Sequence, residues 1–247
     1  MLGAIAAAAV ALPGLPGLPA GTVQPLPPIE RAPQVIFVDR NGSRIGVRGG
    51  RFGPPVDTRA LPGHVPAAFV AIEDRRFYSH PGFDAVGIAR AAAADLAEGQ
   101  LGQGGSTITQ QVARALYLTQ EKTLERKARE VMLAVQLEQT YSKAQILGIY
   151  LSRINFGKGA WGLEAASWRF FNKPASRLTV REAAMLASIP KSPSGYNPVD
   201  EPQRNAERTR LVLDAMVETG AISSKARAAA LAEKPKVWKR APDASAE

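Results

Sequence analysis

An abrupt change from apolar to charged residues provides the first candidate for acid–base chemistry. The apolar run at residues 67–72 is followed directly by Glu73 and Asp74. A carboxyl group at the end of a buried helix face can lie in a cleft wall, where desolvation raises its pKa and makes it a stronger base. Phe77 and His80 follow in the same short segment. Taken alone, the segment also fits an ordinary charged helix end.

The second candidate is an octet rich in glycine, hydroxyl and amide groups at residues 104–111. Glycine lets a ligand approach the backbone, and a helix that begins at a serine cap presents free N–H groups to an anion. Side chains suited to sugar or phosphate oxygens belong to Ser106, Thr107, Gln110 and Gln111. The octet does not have the Gly-Lys-Ser/Thr ending of a nucleotide-binding P-loop. A well-capped loop without a ligand is the alternative interpretation.

Charged side chains of opposite sign form the third candidate. On a helix, Arg126, Lys127 and Glu130 share one face, because residues three and four positions apart are neighbours. Arg114 and Lys122 lie shortly before them. Two cations around one carboxylate can hold a diphosphate, either directly or through a divalent metal bridged by the glutamate. The alternative is a solvated, salt-bridged helix face.

Turn and capping signals predict a mainly helical chain around these candidates. Residues 34–48 are typical of a β-hairpin, since two strand-like runs flank the turn pair Asn41-Gly42. From Pro66 onward the pattern predicts one helix after another, and we expect Ser106 to cap a helix that ends near Leu118. Further helices are predicted over residues 123–140 and over residues 204–219, the latter ended by Gly220. Two more are predicted to begin at capping boxes: one at Ser142 and Gln145, and one at Thr179 and Glu182 that ends at Ile189.

Composition narrows the classes of function. The 247 residues include 31 Lys+Arg and 22 Asp+Glu, for a net charge of +9, which favours an anionic partner. Zero cysteines and two histidines exclude disulfides, cysteine nucleophiles and thiolate or histidine-rich metal sites. Aromatic residues make up 6% and no nucleic-acid motif is present, so we expect no nucleic-acid partner. The remaining chemistry uses carboxylates, hydroxyls, amides and cations.

The chain also divides by composition into three parts. Residues 1–33 are apolar and proline-rich, and their first charged side chain is Glu30. Prolines at every third position would break a spanning helix, and the basic start of a signal peptide is missing. We interpret this part as the remnant of a membrane anchor with a linker, and a disordered leader is the alternative. Residues 34–234 are predicted to form one domain, and residues 235–247 a tail or the start of a linker.

In their order and spacing, the three candidates together resemble the peptidoglycan glycosyltransferases of family 51. The similar segments are residues 73–84, 104–111 and 126–130, followed by 143–151 with 159–166 and by 182–187 with 193–198. The resemblance covers roughly residues 35–232, and the octet is its most specific part. Residues 193–198 and 212–222 are more similar to the transferase module of bifunctional class A penicillin-binding proteins than to monofunctional enzymes. The implied fold is mainly α: a lysozyme-like, two-lobed helical domain with a small N-terminal β-hairpin.

The resemblance also implies a reaction, in which lipid II is polymerised into β-1,4-linked glycan strands with inversion and loss of undecaprenyl pyrophosphate. It implies that Glu73 is the general base for the acceptor hydroxyl. It places Glu130, the second catalytic carboxylate, near the donor diphosphate, where it orients cations or helps to hold Mg or Mn. The substrate-binding residues implied are Asp74, Phe77, His80, Ser106, Thr107, Gln110, Gln111, Arg114, Lys122, Arg126 and Lys127.

The implied partners are lipid II, the growing lipid-linked glycan and a membrane surface, with a transpeptidase domain or cell-wall assembly proteins as further candidates. The implied location is the extracytoplasmic face of the bacterial inner membrane. Two other functions stay open: a glycan hydrolase or lytic enzyme on the same fold, and an inactive assembly scaffold. The cationic face around Glu130 argues against the hydrolase, and the presence of Glu73 argues against the scaffold.

Four positions depart from the usual family pattern. Arg114 and Lys122 stand where lysine and arginine are usual, and Ala115 and Ser152 replace asparagines. The first two exchanges keep the charge but swap a point donor for a planar fork, which alters the geometry offered to a diphosphate. We expect these departures to affect efficiency more than reaction type.

Overall fold

Helices make up most of the chain in the computed structural model, which describes residues 35–41, 44–48, 51–85, 105–118 and 123–239. Within these residues there are eight α-helices: α1 His64–Glu73, α2 Ile108–Tyr117, α3 Leu124–Thr140, α4 Lys143–Arg153, α5 Leu163–Phe171, α6 Val180–Ala187, α7 Pro202–Glu218 and α8 Ser224–Ala232. Single turns of 3₁₀-helix occur at Thr58–Ala60 and Ala175–Arg177. The mainly helical fold that we predicted is confirmed.

Four short strands form two separate two-stranded sheets in the described residues. Strands β1 (Val35–Val38) and β2 (Arg44–Arg48) pair antiparallel, as predicted for the hairpin. Strands β3 (Arg51–Phe52) and β4 (Ala160–Trp161) pair in parallel and are not predicted by the sequence. A two-residue strand is too short to show alternation, and its partner is more than a hundred residues away along the chain.

The helices pack in two groups that meet at the candidate site. Helices α2, α3 and α4 pack against one another, while α1 packs against α6 and α7, and α8 covers the latter pair. Helix α5 contacts both α4 and α6 and so joins the groups. Fully buried aromatic rings fill the core, among them Phe69 and Phe156, whose rings meet edge to face at 6.0 Å. Glu73 therefore ends a helix of one group beside the first turn of α2 in the other.

Capping begins α2 one residue later than the sequence suggested. Thr107, not Ser106, is the N-cap: its side chain accepts from the Gln110 N–H, and the Gln110 side chain accepts from the Thr107 N–H in return. Our prediction that Ser106 caps this helix is wrong, because the adjacent threonine has the glutamine three residues on that completes a capping box. The Ser106 hydroxyl is thereby left for a contact outside the helix.

The other predicted helix boundaries lie within two residues of those observed, and α6 ends at Ala187 where Ile189 was predicted. The capping boxes of Ser142 with Gln145 and of Thr179 with Glu182 are both present. Helix α7 begins at Pro202, two residues earlier than predicted, and Gly220 follows it with a φ of +72°. None of the described helices is both long and apolar enough to cross a membrane. The proposed anchor and linker at 1–33, the hairpin's Gly42, Gly104 and Lys122 lie outside the described residues.

Candidate functional site

Glu73, the last residue of α1, is partly exposed and accepts a hydrogen bond of 3.0 Å from Nε2 of Gln111 in α2. Burial raises the pKa of the Glu73 carboxyl, and the charge of neighbouring Asp74 raises it further. The hydrogen bond from Gln111 and the positive charges of Arg208 and Lys191 oppose this rise. The site therefore holds a carboxylate that is a stronger base than an exposed glutamate, with cations nearby that favour its charged form.

The neighbouring carboxylate, Asp74, is buried and ties the two helix groups together. Its Oδ2 accepts from the Ile108 N–H at the start of α2, at 3.0 Å, and from Nε2 of His80 at 2.8 Å. Nδ1 of His80 in turn accepts from the Gly82 N–H at 3.1 Å, so the ring hydrogen is assigned to Nε2. A carboxylate at a helix N-terminus is favourably placed, and this contact positions α2 relative to Glu73.

Several residues predicted to bind substrate lie inside the protein in this structure. Phe77 is fully buried, with the Lys143 ammonium 4.6 Å from its ring centre. Thr107 and Gln110 are also buried, and they serve the capping box of α2. With Asp74 and His80, these residues support the site, although Asp74 and Thr107 also contribute to the wall of a small cavity beside Glu73. Direct contact of these residues with substrate stays a prediction.

A cluster of charged side chains on α3 contacts the octet at residues 104–111. Glu130 has no exposed surface, and its Oε2 accepts from Nη1 of Arg126 at 2.5 Å. Its Oε1 is ion-paired with Lys127, whose Nζ also donates to the Ser106 hydroxyl at 2.8 Å. Three residues that the sequence placed on one helix face are thus brought together. We call Ser106, Arg126, Lys127 and Glu130 the cation cluster.

Two small cavities border the Glu73–Gln111 pair, one lined by Glu73 and the other by Gln111. The first, of about 210 Å³, is lined by both Glu73 and Ser106 and therefore connects the carboxylate to the cation cluster. The second, of about 220 Å³, is lined by Gln111 and Arg114. A larger cavity of about 780 Å³ lies between residues 55–59 and α4, and none of the predicted site residues lines it. The candidate site is therefore the pair of smaller cavities.

Sequence reasoning missed some of the residues that shape the site. Tyr150 lies in an apolar helical run that reads as core, yet it lines the second cavity. Burial raises its pKa well above the ordinary value, the charge of Glu73 adds to the rise, and Arg114 opposes it. Arg208 and Lys191, which act on Glu73, belong to α7 and the loop before it. No local signal marks these residues, because their proximity comes from helix packing.

The donor set around Glu130 does not fit a metal ion bound by the protein alone. Both of its carboxylate oxygens are engaged by cations. In the described parts of the chain, no three or more His, Cys, Asp or Glu side chains are grouped to hold a metal. A divalent ion would need oxygen ligands that this arrangement does not supply. Mg or Mn arriving with the substrate diphosphate stays a prediction.

The part of the chain that contains this site matches a known protein family. The family model described as "Transglycosylase" matches residues 44–217, which include the Glu73 region, α2 and the cation cluster. The chain belongs to the transglycosylase family. The resemblance to peptidoglycan glycosyltransferases is thereby confirmed, and the described domain is a transglycosylase domain. The roles of individual residues stay predictions.

Similar proteins carry this domain within much longer chains. Penicillin-binding protein 1F of Bacillus subtilis is 44% identical over 189 residues, which cover 76% of this chain and 26% of that protein. Penicillin-binding protein 1A of Aquifex aeolicus is 49% identical over 163 residues, covering 66% of this chain and 22% of that protein. The chain thus spans about a quarter of the length of the curated relatives that it matches.

A solved structure shares the fold. The crystal structure of penicillin-binding protein 1A from Haemophilus influenzae matches with a TM-score of 0.53 and 22% identity, covering 85% of this chain and 22% of that one. At this identity the match supports the fold alone. It agrees with the mainly helical architecture of this transglycosylase domain.

Proposed function

We propose that this domain polymerises lipid II into β-1,4-linked glycan strands and releases undecaprenyl pyrophosphate. One observation carries the proposal: a single cavity is lined by the carboxylate of Glu73 and by Ser106 of the cation cluster. The displacement needs a base for the acceptor hydroxyl and, close to it, a site for the diphosphate of the donor. We assign these two roles to Glu73 and to the cation cluster.

Glu73 is proposed to act as the general base. Its carboxylate takes the proton of the acceptor's 4-hydroxyl while that oxygen attacks the anomeric carbon of the donor, and the configuration inverts in one displacement. In inverting glycosidases a carboxylate activates water in the same way. Gln111 donates a hydrogen bond to Oε2 of Glu73, and the other oxygen, Oε1, is proposed to take the proton. The raised pKa of Glu73 makes the proton transfer more favourable.

The leaving diphosphate needs neutralisation of its charge more than it needs a strong acid. Arg126 and Lys127 are proposed to supply that charge, and Arg114 and Lys122 to add to it. Glu130 acts on the first two by fixing their positions, since its buried oxygens bind both. Preorganised cations cost no reorganisation when charge develops on the leaving oxygen.

The growing chain is proposed to be the donor and a new lipid II the acceptor, at the extracytoplasmic face of the bacterial inner membrane. The lipid tails of both substrates place the reaction at a membrane surface. The similarity to penicillin-binding proteins 1F and 1A supports the proposed role in cell-wall assembly, for which a transpeptidase domain is a proposed partner.

Incubation of the purified protein with labelled lipid II tests the proposal. Polymer should form with the wild type, and Glu73→Gln should abolish it. Glu207→Gln is the matched control, because Glu207 is an exposed carboxylate on α7. Near-normal turnover by Glu73→Gln would refute the assignment of the base. Shortening of preformed glycan without polymer would select the hydrolase, and neither activity would select the scaffold.

We expect Glu73→Gln to stay folded, so that its loss of activity reflects the lost base and not unfolding. A raised pKa means that the folded protein holds this proton more tightly than the unfolded chain does, so stability falls as pH rises from about 4.3 through the raised value. At neutral pH the neutral glutamine should therefore leave the melting temperature equal or higher. Thermal denaturation at pH 7 checks this result.

A further inference from the structure

An arginine on α7, Arg208, lies outside the lining of both small cavities and yet acts on Glu73. Helix α1 packs against α7, and Glu73 is the last residue of α1. Burial raises the pKa of Glu73, and the positive charges of Arg208 and Lys191 oppose that rise. Lys191 is exposed, whereas Arg208 is half-buried between α7 and the loop of residues 188–196. The two cations therefore differ in how firmly the protein holds them.

Two contacts fix the guanidinium of Arg208. Its Nε–H donates to the carbonyl of Ser188 at 3.1 Å, and Ser188 is the buried C-cap of α6. A cation is favourable there, because the last carbonyls of a helix lack partners within the helix and carry partial negative charge. The ring centre of Tyr196 lies 5.1 Å from Cζ of Arg208, a distance typical of a cation–π contact. The charge of Arg208 thus has a set position.

The loop that supplies both contacts is anchored to α7 by a second side chain. Asn205, which comes one turn before Arg208, is only 1% exposed. Its Nδ2 donates to the hydroxyl of Ser188 and to the carbonyl of Tyr196, both at 2.8 Å. Since Asn205 holds the loop independently, a substitution at Arg208 should leave the loop in place.

The same loop forms part of the candidate site. Pro190 and Pro193 line the second cavity together with Gln111, whose side chain binds Glu73. Ser188 comes two residues before Pro190, so Arg208 is bound next to this part of the cavity wall. The fixed cation therefore lies on the side of the site that α6 and α7 form, separate from the cation cluster on α3.

Few other charged or titratable groups act on Glu73. Asp74, on its own segment, disfavours the charged form. Tyr150 of α4 also interacts with Glu73, but burial raises the pKa of this tyrosine well above its ordinary value, so it is neutral where a glutamate titrates. In the part of the chain that the structure describes, the cations that act on Glu73 are Arg208 and Lys191.

We propose that Arg208 is a positioning residue for the reaction: the end of α6 and the ring of Tyr196 hold its charge where it keeps the Glu73 carboxylate ionised. This inference rests on the proposed role of Glu73 as the general base. Burial makes a carboxylate a stronger base but also favours its protonated, inactive form. A cation held in a fixed position offsets the second effect and needs no reorganisation during the reaction.

The pH dependence of kcat/KM with lipid II tests this role. Arg208→Gln removes the charge, so the acid limb of the profile should move to higher pH. The loss should be roughly three- to tenfold on that limb and less than about twofold at pH 8, where Glu73 is ionised in either case. Arg208→Lys keeps the charge and should return the limb toward that of the wild type. Arg210→Gln is the matched control, because Arg210 is exposed on the same helix and is not among the charges that act on Glu73.

A second variant leaves the arginine itself unchanged. Tyr196→Leu removes the ring that holds the guanidinium, so the acid limb should move in the same direction as in Arg208→Gln, but less far. An acid limb at the wild-type pH in both variants, with activity lowered equally at every pH, would refute the proposal and leave Arg208 with a purely structural role.

An NMR titration separates this inference from the proposed function, because it needs no activity. The ¹³C signal of the Glu73 carboxyl, identified by its absence in Glu73→Gln, should titrate at higher pH in Arg208→Gln than in the wild type or Arg210→Gln. If that shift is seen but the wild type makes no polymer, the catalytic proposal fails and the action of Arg208 on Glu73 stands. If polymer forms and the signal titrates alike in all three proteins, the role of Arg208 is refuted.

Discussion

The ion pairs of Glu130 make a sharp prediction about stability and substrate binding. Glu130→Gln keeps the volume of the side chain but removes the charge that holds Arg126 and Lys127 together. The glutamine also turns an NH₂ group toward one of the two cations. We expect the variant to be folded but less stable, with the cations less well ordered for a diphosphate.

The expected loss in the free energy of unfolding of Glu130→Gln depends on how far each ion-pair partner of Glu130 is buried. A hydrogen bond to a charged group contributes about 1.5–3 kcal/mol. The Arg126 side chain is 16% exposed and loses most of this contribution, whereas Lys127 is 41% exposed and regains water. Removing the buried charge of Glu130 also returns part of its desolvation cost, so the net loss should be about 2–3 kcal/mol, below the roughly 3–5 kcal/mol for breaking a fully buried pair.

Thermal denaturation measures this loss against a control on the same helix. For a domain of this size the expected loss lowers the melting temperature by roughly 5–10 °C. Glu125→Gln breaks the other i,i+4 pair of α3, with Arg129 at 2.6 Å and with side chains 56% and 45% exposed. Such a surface pair contributes about 0–1 kcal/mol, so this control should melt close to the wild type.

The same two variants test the proposed role of Glu130 in the reaction. With labelled lipid II, Glu130→Gln should lose most of its polymerisation, because the diphosphate meets cations that are no longer preorganised. Equal melting temperatures for the two variants would show that the buried pairs do not stabilise the fold. Wild-type polymerisation by a clearly destabilised Glu130→Gln would refute the orienting role.

Three further predictions follow from the site. The value of kcat/KM should fall as pH decreases through the raised pKa of Glu73, starting at a higher pH than for an exposed glutamate, and a flat pH–rate profile down to about pH 4 would contradict the assignment. Asp74→Ala should lower the free energy of unfolding, measured by urea denaturation, by about 3–5 kcal/mol, because the Ile108 N–H and the His80 Nε2–H both lose a charged acceptor. A urea midpoint equal to that of the wild type would refute the role of Asp74 in anchoring α2. Added Mg or Mn should stimulate polymerisation. Unchanged activity in excess chelator would show that the reaction does not need a divalent ion.

Local signals in the sequence predicted much of the helical framework. The boxes at Ser142 and Thr179 are found where predicted, because each depends on two residues three positions apart. The same rule explains the error at Ser106, where two adjacent hydroxyl residues compete and only Thr107 has a glutamine at the required spacing. The ion pairs of Glu130 were also predictable, since both partners lie within one helical turn.

Contacts between distant segments could not be predicted in this way. Pairing of β3 with β4 brings Phe52 to Trp161, and helix packing brings Tyr150 near Glu73. Neither pair has a periodic pattern that marks it, because each depends on how separate elements dock. The second cavity was for this reason visible only in the structure.

The sequence by itself determined the chemical groups of this transglycosylase domain and the helices that carry them, since residue type and short spacing are local properties. Only the tertiary structure decided which groups face a cavity and which support it. Glu73 and Asp74 are adjacent in the chain and line the same cavity, yet Glu73 is partly exposed and accepts a hydrogen bond from the Gln111 side chain, whereas Asp74 is buried and accepts from the first N–H of α2. The physical reason is that burial depends on the helices that pack around a residue, and these come from the whole length of the domain.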